Sequence, residues 1–289
     1  KTDVWPNHNA YNSITITPKL EKANQDWGTI AYVIIKNDSI WFEKYYDEFD
    51  ENSQTNSFSM AKSMITSLLG KAIMDGYIKD LDQPIRDFYD EYTNSETTVG
   101  DLASMASGLD WIESYTSPFS VTARANYDDD LAETILNQKV TSTPGVAYKY
   151  LSGNTQLLGM IIQKASGKQL ASYLSESFWK PMGSVNDALW QLDDNENRLA
   201  KAFCCISSNA KDFARFGKLY KDHGKWNGKQ LLDSTFVAKS INPRFTKSPE
   251  YGYGWWLKEQ NGKQFFMMRG HLGQYVIVQP EDNVIIVRL

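Results

Sequence analysis

The sequence predicts an α/β chain of the α+β kind: an antiparallel sheet drawn from both ends of the chain and flanked by helices, plus an inserted all-helical lobe. Three observations carry this. Strand-like runs of β-branched and aromatic residues occur early, at Thr29 to Ile35 and Ile40 to Tyr46, around the turn-rich Lys36-Asn37-Asp38-Ser39. From Gly76 to about Ala200 strand signals nearly vanish, and helical pieces alternate with Gly, Pro, Asn and Ser breaks. Strand patterns then return at Gly254 to Leu257, Phe265 to Arg269, Tyr275 to Val278 and Val284 to Leu289.

Residues 1–17 show little periodicity, and Pro18 to Asn24 can form a short helix. The two early runs form a hairpin, and an acidic polar loop from Asp47 to Thr55 leads to the clearest amphipathic helix. There Ala61, Met64, Ile65, Leu68, Leu69, Ala72 and Ile73 recur at helical spacing, and Gly76 stands where the helix would end. A short helix should start at the Thr98 cap, with Ser107 to Trp111 as a loop after it. Asp128-Asp129-Asp130 reads as a capping or solvated run, because no ligand cluster accompanies it. Leu131 to Leu136, Gln156 to Ala165 and Ala210 to Tyr220 read as helices, the last capped by Ser208 or Asn209 with Asp212. The expected boundaries are a sheet domain over 1–75 and 200–289 and a helical domain over 76–199, with the active site in the cleft between them.

A chain of 289 residues exceeds a usual single core, and its 42% hydrophobic content can supply two. With a net charge of -5 and no Lys/Arg run beyond a pair, nucleic acid is not an expected partner. No apolar run approaches the ~20 residues of a membrane span. The adjacent Cys204 and Cys205 are the only cysteines, so no disulfide framework and no cysteine-based zinc spacing exists. No metal and no cofactor is implied, and oligomeric state is left open. The chain starts at Lys1 rather than Met, as an exported and processed product or a trimmed chain would; a periplasmic or secreted location is preferred over a cytoplasmic one.

The chemistry begins at Ser59 and Lys62, three apart at the start of the central helix and so on one side of it. The positive end of the helix dipole disfavours a cation there and favours a neutral amine, which can take a proton from a serine hydroxyl. Spacing alone is weak evidence, since Ser-x-x-Lys recurs at Ser177/Lys180 and Ser208/Lys211. The first of these precedes Pro181, which should push Lys180 out of helical geometry. Taken alone, Ser59 reads equally as a helix cap. Two further stretches stand out: Tyr148-Lys149-Tyr150-Leu151-Ser152-Gly153-Asn154, read as a loop before the helix from Gln156, and Gly270-His271-Leu272-Gly273-Gln274 between two late strands.

In this order, Ser59-Met60-Ala61-Lys62, Tyr150-Leu151-Ser152 and His271-Leu272-Gly273 resemble the three motifs of the serine β-lactamase and penicillin-binding-protein superfamily. The pattern is most similar to class C β-lactamase-related esterases and 6-aminohexanoate-dimer hydrolases. Met105 to Trp111, Pro181-Met182-Gly183 and Asp212 to Gly217 extend the likeness over nearly the whole chain. The resemblance implies a β-lactamase/transpeptidase-like fold and a covalent acyl-enzyme serine hydrolase acting on a small ester, amide or peptide-like substrate, a carboxylesterase or amidase. It implies Ser59 as nucleophile, with Lys62 and Tyr150 sharing the base. Tyr150 is favoured over Tyr148 by the spacing to Gly159, and the Lys62 ammonium should lower its pKa. The backbone N–H groups of Ser59 and Gln274 should form the oxyanion hole, and Ser152, His271 and Gly273 should contact substrate. Ser152 departs from the asparagine of class C β-lactamases, and His271 replaces a permanent lysine charge with a pH-dependent one. A β-lactamase or D,D-peptidase is the alternative among enzymes; a non-catalytic ligand-sensing domain is the alternative of another class. The family's usual last helix would lie beyond Leu289.

Overall fold

The computed structural model describes residues 2–194 and 196–289. After α1 (Pro18–Asp26), capped by Thr17, the chain enters the hairpin of β1 (Ala31–Lys36) and β2 (Ser39–Tyr45). Asn37 and Asp38 close it with φ of 51° and 58°. Two successive left-handed residues suit the twist of a two-residue hairpin, and Asn and Asp tolerate them well. The short strand β3 (Thr55–Asn56) then leads into a 3-10 turn at Phe58–Met60 and into α2 (Ala61–Met74).

The helical stretch supplies α3 (Val99–Ala103), α4 (Val121–Tyr127), α5 (Leu131–Leu136), α6 (Ser152–Ser166) and α7 (Leu170–Leu174). Thr98 and Asp101 form a reciprocal capping box on α3. Asp130 caps α5, and Asp128 pairs with Arg124 at 3.0 Å, so the acidic run is structural. Helix α6 starts four residues earlier than the sequence pattern suggests: Ser152, Gly153 and Asn154 form its first turn, and only Tyr148 to Leu151 remain as loop. Lys180 keeps helical angles (φ -68°, ψ -47°) despite Pro181, because it caps a π-helical turn over Ser175–Trp179 that carries the chain up to the proline.

The strands β4 (Leu189–Trp190) and β5 (Ile206–Ser208) join β3 in a small sheet of order β3-β5-β4. Helix α8 (Ala210–Lys221), the hairpin β6 (Lys225–Trp226) and β7 (Lys229–Gln230), and α9 (Ser234–Ser240) follow. Asn209 rather than Ser208 caps α8, accepting from Asp212 at 2.8 Å. Finally β8 (Trp256–Gln260), β9 (Lys263–Arg269), β10 (Tyr275–Gln279) and β11 (Val284–Arg288) complete a six-stranded antiparallel sheet of order β2-β1-β11-β10-β9-β8. The last strand pairs with the first hairpin, Ile34 opposite Ile286. Alternation buries Val33, Ile35, Val276, Val278, Ile285 and Val287 on one face. Helix α8 covers that face; a Cβ on Gly217 would stand 3.0 Å from Val276 and Val278, so glycine sets the approach.

Helix α2 is more central than an amphipathic pattern implies: 11 of its 14 residues are buried. Its polar members are satisfied, Ser63 donating to the Gly254 carbonyl at 2.6 Å and Ser67 to that of Ser63 at 2.8 Å. A second buried polar feature braces α8. Asp212 and Arg215 pair at 2.8 Å with 0% and 1% exposure, Asp212 accepts from the Val185 and Asn186 N–H groups, and Arg215 donates to the carbonyls of Met182 and Asp3. No helix among the described residues is long and apolar enough to cross a membrane.

Candidate active site

Ser59 sits in the 3-10 turn that opens α2, and the chain before it is fixed on both sides. Ser57 donates its N–H to the Ile206 carbonyl at 2.7 Å and accepts the Ile206 N–H on its hydroxyl at 3.1 Å. Phe58 takes a φ of 45°, a strained value for a bulky residue, held by its N–H donating to Asn56 Oδ1 at 2.8 Å. The side chains expected to meet do so: Lys62 Nζ lies 2.9 Å from Ser59 Oγ. Lys62 is 2% exposed and also donates to the Phe203 carbonyl at 2.9 Å. Burial lowers its pKa to about 8, opposed by the negative charge of Glu113.

The Tyr150 ring packs 5.1 Å from Lys62 Nζ. Its phenol does not follow the expected shift. Burial pushes its pKa up, Glu113 pushes the same way, and the hydrogen-bonding influence of Ser59 and the charge of Arg269 only partly oppose this. The physical reason is that burial penalises the charged phenolate by more than its hydrogen-bonding and charged neighbours stabilise it. Tyr150 is therefore held as a neutral phenol. Tyr148 and Tyr150 both pack on Tyr251, with centroids 5.4 and 6.1 Å apart, but the influence of Ser59 reaches only the Tyr150 phenol.

Glu113, which sequence reasoning missed, organises the helical side. Its carboxylate accepts from Trp111 Nε1 at 2.8 Å, Tyr115 Oη at 2.5 Å, the Ser152 N–H at 2.7 Å and the Ser152 hydroxyl at 2.6 Å. A carboxylate at the first turn of α6 also suits the helix dipole. The Ser152 hydroxyl is thus engaged by protein, although the residue borders the cavity in front of Ser59. The 39 residues between Glu113 and Ser152 leave no spacing by which the pair could be read from sequence.

The loop after β9 forms the opposite wall. His271 is exposed and stacks on Tyr115, centroids 4.3 Å apart at 25°. Gly273 has a φ of 89° and its carbonyl accepts from Arg288. A Cβ on Gly270 would stand 2.8 Å from the Ser57 carbonyl, so this loop passes directly against the turn that carries Ser59. Among the described residues the N–H groups of Ser59 and Gln274 have no backbone acceptor. Between the walls lies a cavity of about 500 Å³ bordered by Ser59, Tyr115, Ser152, Phe203 and His271. Cys204 and Cys205 also border it, joined as a disulfide that spans one peptide bond and staples no distant segments. No cluster of three or more metal-ligating side chains occurs among the described residues.

A family model described as Beta-lactamase matches residues 18–289. The chain is 24% identical over 302 residues to 6-aminohexanoate-dimer hydrolase of Paenarthrobacter ureafaciens, covering 95% of this chain and 76% of that protein. It is 26% identical over 174 residues to Protein flp of Staphylococcus aureus strain MRSA252, where the match takes in 56% of this chain and 34% of the relative. Among solved structures, a Bacillus anthracis protein provisionally described as a 6-aminohexanoate-dimer hydrolase superposes with a TM-score of 0.86 at 23% identity, over 100% of this chain and 82% of that one. EstCE1, described as a hydrolase with promiscuous acyltransferase activity, superposes with a TM-score of 0.73 at 13% identity over 93% and 90% of the two chains. These structural likenesses show a β-lactamase/transpeptidase-like fold.

Proposed function

Because the chain belongs to the beta-lactamase family and is a serine hydrolase, we propose that it cleaves an ester or linear amide through a covalent acyl-enzyme, as a carboxylesterase or an amidase of the 6-aminohexanoate-oligomer type. The observation that carries this reading is the contact of Lys62 with Ser59 at 2.9 Å, with the lysine pKa lowered to about 8. Near neutral pH roughly one molecule in ten then holds a neutral amine at the serine, where an ordinary lysine would offer almost none.

In this mechanism Ser59 Oγ bonds to the substrate carbonyl carbon while its proton passes to Lys62. The carbonyl π pair moves to oxygen, held by the N–H groups of Ser59 and Gln274, each such donor being worth roughly 3 kcal/mol in related hydrolases. Collapse breaks the bond to the departing alkoxide or amine, which takes its proton from Tyr150; Lys62 returns a proton to Tyr150. Water then attacks the acyl ester, giving its proton back through the same pair, and the acid leaves with Ser59 restored. The raised pKa of Tyr150 supports a proton-donor role in place of the phenolate base expected from sequence. Gly273 shapes the loop that presents Gln274, and Ser152 and His271 border the substrate. The same reading takes 1–75 and 200–289 as the sheet domain, 76–199 as the helical domain, and their cleft as the site.

Turnover of a short-chain p-nitrophenyl ester, a linear amide and a chromogenic cephalosporin tests the substrate class. Ester or amide hydrolysis well above cephalosporin hydrolysis is expected, since a lysine is absent at His271 and the Ser152 hydroxyl is engaged by Glu113. A preference for the cephalosporin would establish the β-lactamase reading instead.

A further inference from the structure

The two sides of Ser59 differ in charge. No Asp, Glu, Lys or Arg among the described residues borders the cavity of about 500 Å³. Glu113 lies behind its wall, but both carboxylate oxygens already accept from Trp111, Tyr115 and Ser152. An ammonium entering that cavity would meet no free counter-charge, and stripping a cation of water without one is costly. An uncharged acyl group suits it.

The side behind Tyr150 is the reverse. The Tyr150 ring packs against Trp256 at a tilt of 32° with centroids 5.2 Å apart, and the Arg269 guanidinium lies over the Trp256 ring at 5.2 Å. Register explains the arrangement: Trp256 pairs with Met267, and Arg269, two residues further along β9, shares that face while Phe266 and Met268 point into the core. Tyr251, fully buried, closes edge-on to Trp256 at 5.1 Å. Arg215 is committed to Asp212 and Arg244 to Asp101. Arg269 is exposed, and among the described residues it forms neither an ion pair nor a hydrogen bond; the nearby Glu250 is felt at Tyr148 but is not paired with it. Its charge is felt at the Tyr150 phenol. With the guanidinium held against the indole face and its N–H donors unpaired among the described residues, a planar donor fork stays available to a ligand near the proton donor.

We infer that Arg269 is a specificity-determining residue that takes a carboxylate on the departing half of the substrate, so that the preferred substrate joins an uncharged acyl group to a carboxylate-bearing amine or alcohol. This rests on the hydrolase reading above, in which Tyr150 protonates the departing atom and so stands on the departing side. It also moves carboxylate recognition from His271, which stacks on Tyr115 across the neutral cavity, to a permanent cation. A free ω-amino acid dimer fits only in part, because its acyl half carries an ammonium; its N-acetylated form fits both sides.

The test compares kcat/KM for N-acetyl-6-aminohexanoyl-6-aminohexanoate as the free acid and as its terminal carboxamide, at pH 6 and pH 8, in wild type, Arg269→Gln and Arg269→Lys. The acid-to-amide ratio within each protein cancels any common effect on Tyr150. Wild type should favour the acid by ~10–100-fold, mostly through KM, and equally at both pH values. Arg269→Gln should bring the ratio close to one, and Arg269→Lys should lie between, keeping the charge without the fork. A wild-type ratio near one, a ratio unchanged in Arg269→Gln, or one that collapses at pH 8 would overturn the inference. A short-chain ester run alongside separates the two claims: with ester turnover intact, such a result refutes only the role of Arg269, whereas no turnover of ester or amide refutes the hydrolase reading and the inference together.

Discussion

Lys62 Nζ stands 2.9 Å from Ser59 Oγ in a setting that leaves the lysine 2% exposed. The amine donates while charged; once neutral, the same contact can run in the other direction. A base acts when deprotonated, so kcat/KM on a neutral ester should rise with pH through about 8 and level off above it. The folded-state pKa lies below the ordinary 10.5, so the unfolded chain binds the Lys62 proton more tightly between about 8 and 10.5. Lys62 therefore adds stability as pH rises through that window, and the contribution is lost below it. A rate profile flat from pH 6 to 9 would argue against Lys62 as the base.

Glu113→Gln should move that limb to lower pH, because the carboxylate charge raises the Lys62 pKa against the effect of burial. It also weakens charge-assisted hydrogen bonds to Ser152 and Tyr115, each worth ~1.5–3 kcal/mol, so melting temperature should fall as well. A pH profile coincident with wild type would show that Glu113 acts only through packing.

Tyr150→Phe should cost ~10²–10⁴-fold in turnover with the fold retained, the usual range for a lost proton-transfer group. Tyr148→Phe should matter far less, since Ser59 bears on the Tyr150 phenol and not on that of Tyr148. Equal losses in the two variants would point to a structural role for both.

Asp212→Ala should destabilise the protein by about 3–5 kcal/mol in denaturant unfolding, because Arg215 would remain a buried charge without its partner. The same change removes acceptors for Val185 and Asn186. A loss below about 1 kcal/mol would mean that Arg215 finds other anions or water.

Elements whose signals are local were legible in the sequence. The Asn37-Asp38 turn, the Thr98 cap and the return of strand patterns after α8 each follow from a few adjacent residues, and the end strands could pair only by closing one sheet. That Ser59, Lys62 and Tyr150 come together could be expected because motif spacing survives in sequence. The first turn of α6 was missed because its anchor, Glu113, lies 39 residues upstream. The Tyr150 pKa was misjudged for a related reason: charge pairing can be guessed from neighbours, but burial, which proved larger, depends on the whole surrounding fold. Arg269 carries no motif and becomes notable only through strand register and the Trp256 ring.

Covalent labelling tests the nucleophile most directly. The folded protein, treated with a fluorophosphonate at pH 8 and mapped by peptide mass spectrometry, should carry one adduct, on Ser59; Ser59→Ala should abolish it and Lys62→Ala should slow it by orders of magnitude. An adduct on Ser177 or Ser208, or labelling of Ser59 at the same rate without Lys62, would contradict the account.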